Sequence, residues 1–467
     1  MKIQYILTSC NLNKLYCDFI PIFINSWNKL VPEAKVKIVL IANDIPEEFK
    51  VYSENIILFN PIEGVSSAFT SQYIRLLFPA LLNSGNGVLI TDMDMIPMNR
   101  KYYVNSIKHI PNDKFVYYRD WTDPHHREIA MCYNIATSTT WSDIFKIKNT
   151  YDIISRITDI YKTINYSDTH GGNGWNVDQL SLYSNVSKNP NFINLTDSAC
   201  GFSRYDRVSF RLDDDILQNI KNGLYSDYHA LRPYNDYKKV NDVIVDAIKP
   251  THPLIILIIA SPGDVYSKFR TVWEKYMEAN PLIRCFFIYN KDQGADVSDK
   301  RNIVSDIESG NMIPGCLIKS LYAFDFCLKN FNFDYILRTN LSSFYRFDKL
   351  LEYVDTIPCT KCLSAVIGHD GGPFLSGAGM IISKDMISDI VQNRHKIDSS
   401  IIDDLAISVY LRDNNSFIPC QRCDLTNNET PSVVDTINTD KFHFRIKTSN
   451  RINDPMIMDK LYYKYYK

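Results

Sequence analysis

A strand-length apolar run followed by a helix-length amphipathic one, repeated several times and then begun again at Pro250, is the feature that most restricts how this chain folds. In the first half, residues 3–10 are a β-rich run, and residues 15–30 carry Ile20, Phe23, Ile24 and Trp27 at helical spacing. Residues 36–42 are apolar almost throughout, as expected of a strand covered on both faces. A third strand follows at 55–60, and Ser66 and Ser67 then offer a cap to a helix carrying Tyr73, Ile74, Leu77 and Phe78. That helix runs out in the turn cluster at 83–87 and leads into a short strand at 87–90. The second half repeats the plan. It has a strand at 253–260, a helix at 265–280 with Phe269, Val272, Trp273 and Tyr276 on one side, a strand at 283–290, a helix with Pro314 in its first turn, and a strand at 335–340. This order predicts an α/β chain of two mostly parallel sheets in tandem, residues 1–249 and 250–467, with no low-complexity linker between them.

Composition narrows the function classes. Of 467 residues, 45% are hydrophobic and 22% charged, enough apolar material for two sizeable cores. A formal net charge of −2 provides no basic field for nucleic acid, so that partner is not expected. The first residues are too short and too polar a run for a secretory leader, and the longest apolar run, 253–260, has strand length, so no transmembrane segment is expected. A cytoplasmic location and reduced thiols for the eleven cysteines follow as expectations. The abundance of Ile, Asn, Lys, Asp and Tyr resembles the product of an AT-rich genome, such as that of a large DNA virus, whose protein would work in the host cytoplasm.

The strand at 87–90 leaves through Thr91-Asp92-Met93-Asp94. Open α/β sheets bind ligands just beyond the carboxyl ends of their strands, and two carboxylates one residue apart there call for a compensating cation. Hard oxygen donors suit Mn²⁺ or Mg²⁺, and a diphosphate would complete the coordination. An isolated Asp-x-Asp is most often a solvated turn; its setting here, after an apolar strand and behind an Arg-bearing helix, points to the metal. Two repelling carboxylates also predict that replacing Asp94 by Ala leaves folding unchanged or improved.

Residues 69–97, FTSQYIRLLFPALLNSGNGVLITDMDMIP, resemble the donor-binding core of GT-A fold glycosyltransferases, especially the glycogenin-like family and its viral relatives. The resemblance implies tandem GT-A-like domains, Asp92 and Asp94 as metal ligands, and Thr8, Gln72 and Arg75 as donor contacts. Residues 171–182, GGNGWNVDQLSL, look like the loop and Asp-Gln element that contact the transferred sugar and the acceptor, with Asp178 as catalytic candidate, acting as a base or as a hydroxyl-binding group. Residues 227–234, DYHALRPY, resemble the segment giving a third metal ligand, His229, and a phosphate contact, Arg232; the stricter family pattern has a glycine and Lys-Pro-Trp there.

In the second half, Arg338-Thr339-Asn340 stands where the carboxylate pair is expected, so no metal is needed there. Residues 374–383, with Ser376 and Gly377, look like the acceptor-side loop of fringe-like galactosyltransferases, and residues 401–410 resemble their acidic motif, with Asp403 and Asp404 as candidate bases. His443, Arg445 and Lys447 offer a diphosphate clamp of fixed positive charge. Cys359, Cys362, Cys420 and Cys423 have the paired spacing of a Zn²⁺ site, but the long span between the pairs argues against one. The reading is a metal-dependent transferase moving a sugar from a nucleotide-sugar, by resemblance a UDP-sugar, to a glycan or glycoprotein acceptor, with a second, metal-independent transferase domain. The alternatives are an acceptor-binding second domain, or a carbohydrate-binding protein without catalysis. A nucleotidyltransferase would need a glycine-rich phosphate loop that residues 9–14 lack.

Overall fold

The computed structural model describes residues 1–120, 127–169, 171–309, 311–369, 372–412, 415–427 and 429–467. It divides into two compact units, Met1–Lys249 and Pro250–Lys467. Both are mixed α/β.

In the first unit the strands are β1 (Ile3–Asn11), β2 (Lys35–Ile41), β3 (Ile56–Phe59), β4 (Gly87–Ile90), β5 (Met95–Pro97), β6 (Phe115–Tyr117), β7 (Asn134–Thr137), β8 (Phe192–Asn194), β9 (Arg204–Asp206) and β10 (Asp227–His229). The large sheet runs β3-β2-β1-β4-β7-β6-β8, and β5, β10 and β9 make a small one. Strands β3, β2, β1 and β4 are mutually parallel and β7 is antiparallel to both its neighbours, so the sheet is parallel but for one strand. The central strands read as continuous apolar runs because helices cover both faces, and every residue of β4 is buried. Where one helix was expected over residues 15–30 there are two, Lys14–Cys17 and Ile20–Leu30, with Pro21 in the first turn of the second. Ser66 caps the helix Ser67–Leu77, its hydroxyl accepting from the Ala68 amide at 3.2 Å. That cap fixes the start of the helix whose inner face carries Gln72 and Arg75 to the carboxyl edge of the sheet.

The second unit repeats the order with β11 (Leu254–Ile259), β12 (Ile283–Tyr289), β13 (Asn302–Val304), β14 (Tyr335–Asn340), β15 (Ser343–Tyr345), β16 (Leu363–Ala365), β17 (Ile367–His369), β18 (Pro373–Leu375), β19 (Gly379–Ser383), β20 (Ile418–Pro419), β21 (Cys423–Leu425) and β22 (His443–Ile446). Its large sheet runs β13-β12-β11-β14-β19-β16-β20, its small one β15-β22-β21, and β17 and β18 form a hairpin. The period of two along β11 splits its side chains between two cores: Leu254, Ile256 and Ile258 face one, Ile255, Leu257 and Ile259 the other. Among the described residues no helix is long and apolar enough to cross a membrane.

The small sheets set the correspondence between the units. In the first, β5 pairs antiparallel with β10, Met95 opposite His229, and the Ala230 amide donates to the Asp94 carbonyl. In the second, β15 pairs with β22, Ser343 opposite Arg445, and the Ile446 amide donates to the Ser342 carbonyl. Asp94 therefore corresponds to Ser342, Asp92 to Asn340, and His229 to Arg445. This corrects the sequence alignment, which put Arg338-Thr339-Asn340 opposite the carboxylates. Hydrophobic pattern locates a strand, but only its pairing fixes the register of the turn that follows.

Candidate active site

At the carboxyl edge of β1 and β4 a cavity of about 330 Å³ opens in the first unit, lined among others by Ser9, Asn13, Tyr16, Gln72, Arg75, Asp92, Asp94, Trp175, Asp178, Arg207, His229 and Arg232. Parallel strands leave their carboxyl ends unobstructed by the helices that follow them, which places the cavity where such sheets take ligands. The volume is that of a small-molecule site.

Asp92, Asp94 and Asp178 in it each have a basic partner. Arg75, from the helix Ser67–Leu77, bridges Asp92 and Asp178, donating to Asp92 Oδ1 in a close contact and to Asp178 Oδ2 at 3.2 Å. Burial opposes the charge on Arg75, but Asp92 and Asp178 outweigh it and keep the guanidinium protonated. Asp178 opens the helix Val177–Val186; burial pushes its carboxyl up, against Arg75 and a bond from Gln72 Nε2 at 3.1 Å. Gln72 also donates to the Trp175 carbonyl at 2.7 Å, which ties the glycine-rich loop to the wall of the cavity.

Asp94 is 4% exposed and faces Arg207 at 2.6 Å, Arg232 at 3.3 Å and His229 Nε2 at 3.6 Å. Burial alone would raise its pKa; His229, Arg207 and Arg232 more than reverse this and hold it well below the usual carboxylate range. Against the expectation of two repelling carboxylates, whose loss at Asp94 leaves folding unchanged or improved, stands this charge balance: Asp94 faces Arg207 and Arg232, and Asp92 shares Arg75 with Asp178. The other His229 nitrogen, Nδ1, lies 3.4 Å from Asp206 Oδ2, so the ring is held between two carboxylates. Arg232 also donates to the Tyr16 hydroxyl at 2.8 Å and lies over its ring.

The structure thus brings Asp92, Asp94, Asp178, His229, Gln72, Arg75 and Arg232 to one cavity. Thr8 is corrected: it is fully buried, with its hydroxyl unpartnered, and the following residues Ser9, Cys10 and Asn11 line the cavity instead. Arg207 was not foreseen. It opens the short 3-10 helix Arg207–Ser209 directly after β9, beside no recognisable motif, and meets Asp94 because β9 and β10 pair. As for a divalent cation, two carboxylates and an imidazole are the donors Mn²⁺ takes, and His229 Nε2 facing Asp94 Oδ2 fits it. In the present arrangement arginines occupy those oxygens, and among the described residues no three Asp, Glu, His or Cys side chains are gathered closely enough to hold an ion.

In the second unit the corresponding groups are differently disposed. Arg338 and Asp403 form a closed ion pair, their side chains 4% and 2% exposed, with Arg338 also donating to the Gly377 carbonyl and, at 3.3 Å, to Asn340. Asp404 accepts from the Gly377 amide at 2.8 Å. These two acids, expected as candidate bases, fasten the Ser376–Gly377 loop to the sheet. His443 is 1% exposed and stacks on Tyr345 at 4.5 Å; burial, with Arg422 and Arg445 nearby, holds its pKa well below the ordinary value. A neutral buried ring is no phosphate clamp, which corrects that part of the reading. Arg445 is half-buried, and Lys447 is exposed. A separate cavity of about 280 Å³, lined by Ser261, Tyr266, Arg270, Tyr289, Asp299 and Asn302 among others, lies beyond the carboxyl ends of β11 and β12 and beside the start of β13. Cys359, Cys362, Cys420 and Cys423 are free, and burial pushes the Cys362 and Cys420 thiols up to about 11.

No protein-family profile and no curated protein matches the sequence. Among solved structures, the chain is similar to the galactosyltransferase LgtC in complex with donor and acceptor sugar analogs, at 11% identity over 52% of this chain and 96% of that one, with a TM-score of 0.31. It is also similar to the glycosyltransferase GlyE of Streptococcus pneumoniae TIGR4, at 13% identity over 62% and 74%, TM-score 0.31. A third is mannose-6-phosphate isomerase from Helicobacter pylori, at 11% identity over 42% and 97%, TM-score 0.25. Overlaps this low leave function to be read from the chemistry of the chain's own site.

Proposed function

We propose that the first unit is a glycosyltransferase centre that takes a nucleotide-sugar, by family resemblance a UDP-sugar, and passes its sugar to a glycan or glycoprotein. The observation that carries this is the convergence of Asp92, Asp94 and His229 with Arg75, Arg207 and Arg232 in one cavity at the carboxyl edge of the sheet. Such a site combines donors for a divalent cation with arginines that suit a diphosphate. Asp92, Asp94 and His229 would hold Mn²⁺ or Mg²⁺, which supplies Lewis-acid neutralisation of the charge on the leaving diphosphate when bound. Arg207 and Arg232 exchange Asp94 for phosphate oxygens, so that positive charge stands where the leaving group gains its negative charge. Tyr16, Asn13 and Ser9 provide an aromatic and polar wall for base and ribose. Asp178, fixed by Gln72 and Arg75, accepts from a hydroxyl of the sugar or acceptor. Arg75, by pairing with Asp178 and Asp92 at once, couples sugar position to the metal ligands.

The test is a screen of nucleotide-sugars against the full chain, with thermal stabilisation and nucleotide release followed with and without Mn²⁺. Stabilisation by a nucleotide-sugar together with Mn²⁺-dependent release, lost in Asp94→Ala, is expected. Failure of every nucleotide-sugar to stabilise the protein or release nucleotide sinks the proposal.

A further inference from the structure

We infer that the second unit has a phosphate-binding site of its own that needs no metal, with the Arg445 guanidinium fixed where the first unit gathers its metal-ligand candidates. The strand correspondence carries the argument. Asp92, Asp94 and His229 are matched by Asn340, Ser342 and Arg445, so two anionic groups become neutral and an imidazole becomes a permanent cation. A site so altered has lost the carboxylates that attract a divalent ion and has a fixed positive charge where the first unit has an imidazole.

Arg445 is also left without a counter-charge. Its side chain donates to the Ser342 hydroxyl, and among the described residues no carboxylate pairs with it. The adjacent carboxylate, Asp424, is engaged by Arg422 at 2.7 Å, and Arg451 has Asp454. Burial and the cations Arg422, Arg451 and Arg338 push the Arg445 pKa down to about 10. Its neighbours Arg422, Arg451 and Arg338 each have a carboxylate, whereas Arg445 does not, and a cation held half-buried without a counter-charge is costly unless an anion completes it. Arg422 donates to Ser376 at 2.9 Å and Arg338 to the Gly377 carbonyl, so they flank the loop that faces β14 from β19. The His443–Tyr345 stack lies against Gly379, at the end of that loop.

The cavity at Ser261 and Tyr289, just past β11 and β12, opens on the same carboxyl edge of the sheet at which β14 ends in Asn340, since Ile259 of β11 pairs with Asn340. Phosphate at Arg445 with a nucleoside held elsewhere along that edge describes a nucleoside diphosphate; phosphate alone describes a polyphosphate or a phosphorylated glycan. The inference extends the reading of the first unit, but its test separates the two.

Titration calorimetry on the full chain in EDTA, with inorganic pyrophosphate and with UDP, reads the second unit alone if the first requires its cation. Saturable binding is expected, weakened about tenfold or more by Arg445→Met, which removes charge-assisted bonds. Ser342→Asp, which hands Arg445 the carboxylate that Asp94 provides in the first unit, should weaken it similarly and decides the matter should Arg445→Met fold poorly. UDP binding more tightly than pyrophosphate marks a nucleoside diphosphate; equal affinities mark a polyphosphate or phosphorylated glycan, and both support the site. No binding in EDTA, or binding that keeps its affinity in both variants, overturns it. Mn²⁺-dependent binding that survives both variants belongs to the first unit, and its absence alone counts against the proposed function only.

Discussion

Replacing Asp94 by Asn, with Asp92→Asn as its control, tests whether the first site is a pair of repelling carboxylates or a network neutralised by arginine. The Asp94 side chain is 6% exposed and meets Arg207 at 2.6 Å, Arg232 at 3.3 Å and His229 at 3.6 Å. Removing one member of a buried ion network costs about 3–5 kcal/mol because its partners are left uncompensated. Here the three basic groups border an open cavity, and water restores part of their solvation, which brings the expected cost to about 2–3 kcal/mol. For a unit of this size that is a fall of about 5–10 °C in melting temperature. Asp92 is 31% exposed, and its partner Arg75 keeps Asp178, so Asp92→Asn should cost less than about 1 kcal/mol and move the melt by less than about 4 °C. Scanning calorimetry of the full chain at neutral pH, without added metal, reads both. If Asp94→Asn melts at or above the parent temperature, or no lower than Asp92→Asn, the carboxylates were repelling and the network argument is wrong.

Two further outcomes follow from the second unit. His443 is held neutral in the folded protein, so the unfolded chain binds its proton first as pH falls. Its contribution to stability is complete above about pH 6.5 and is lost below it at about 1.4 kcal/mol per pH unit. Melting curves between about pH 7.5 and 5.5 should show this loss, and His443→Phe, which keeps a ring over Tyr345, should reduce it; an unchanged pH profile in that variant refutes the assignment. Gly377→Ala would drive a methyl against Arg338 Nη1 and to 2.7 Å from Asp404 Oδ2, loosening the Arg338–Asp403 pair, and should destabilise the unit by about 1–3 kcal/mol in urea unfolding. An unaltered midpoint would show that the loop accommodates the methyl freely.

The sequence by itself determined the α/β class and the strands. An apolar run such as that at β4 or β11 can be satisfied only by burial on both sides, and the helices between them carry their apolar faces at helical spacing. It also marked Asp92 and Asp94, because a polar pair that interrupts such a run stands at a strand end whatever else the chain does. What it could not contain is which distant groups those carboxylates meet. Arg207 and Asp94 are far apart in sequence, and Arg207 arrives through the pairing of β9 with β10, a register set by backbone hydrogen bonds rather than by any local pattern. The same holds for the match of Asn340, Ser342 and Arg445 to the first site, and for the burial that made His443 a neutral ring instead of a clamp. Charge balance at a site depends on distance and desolvation together, and both come into being only when the sheet closes.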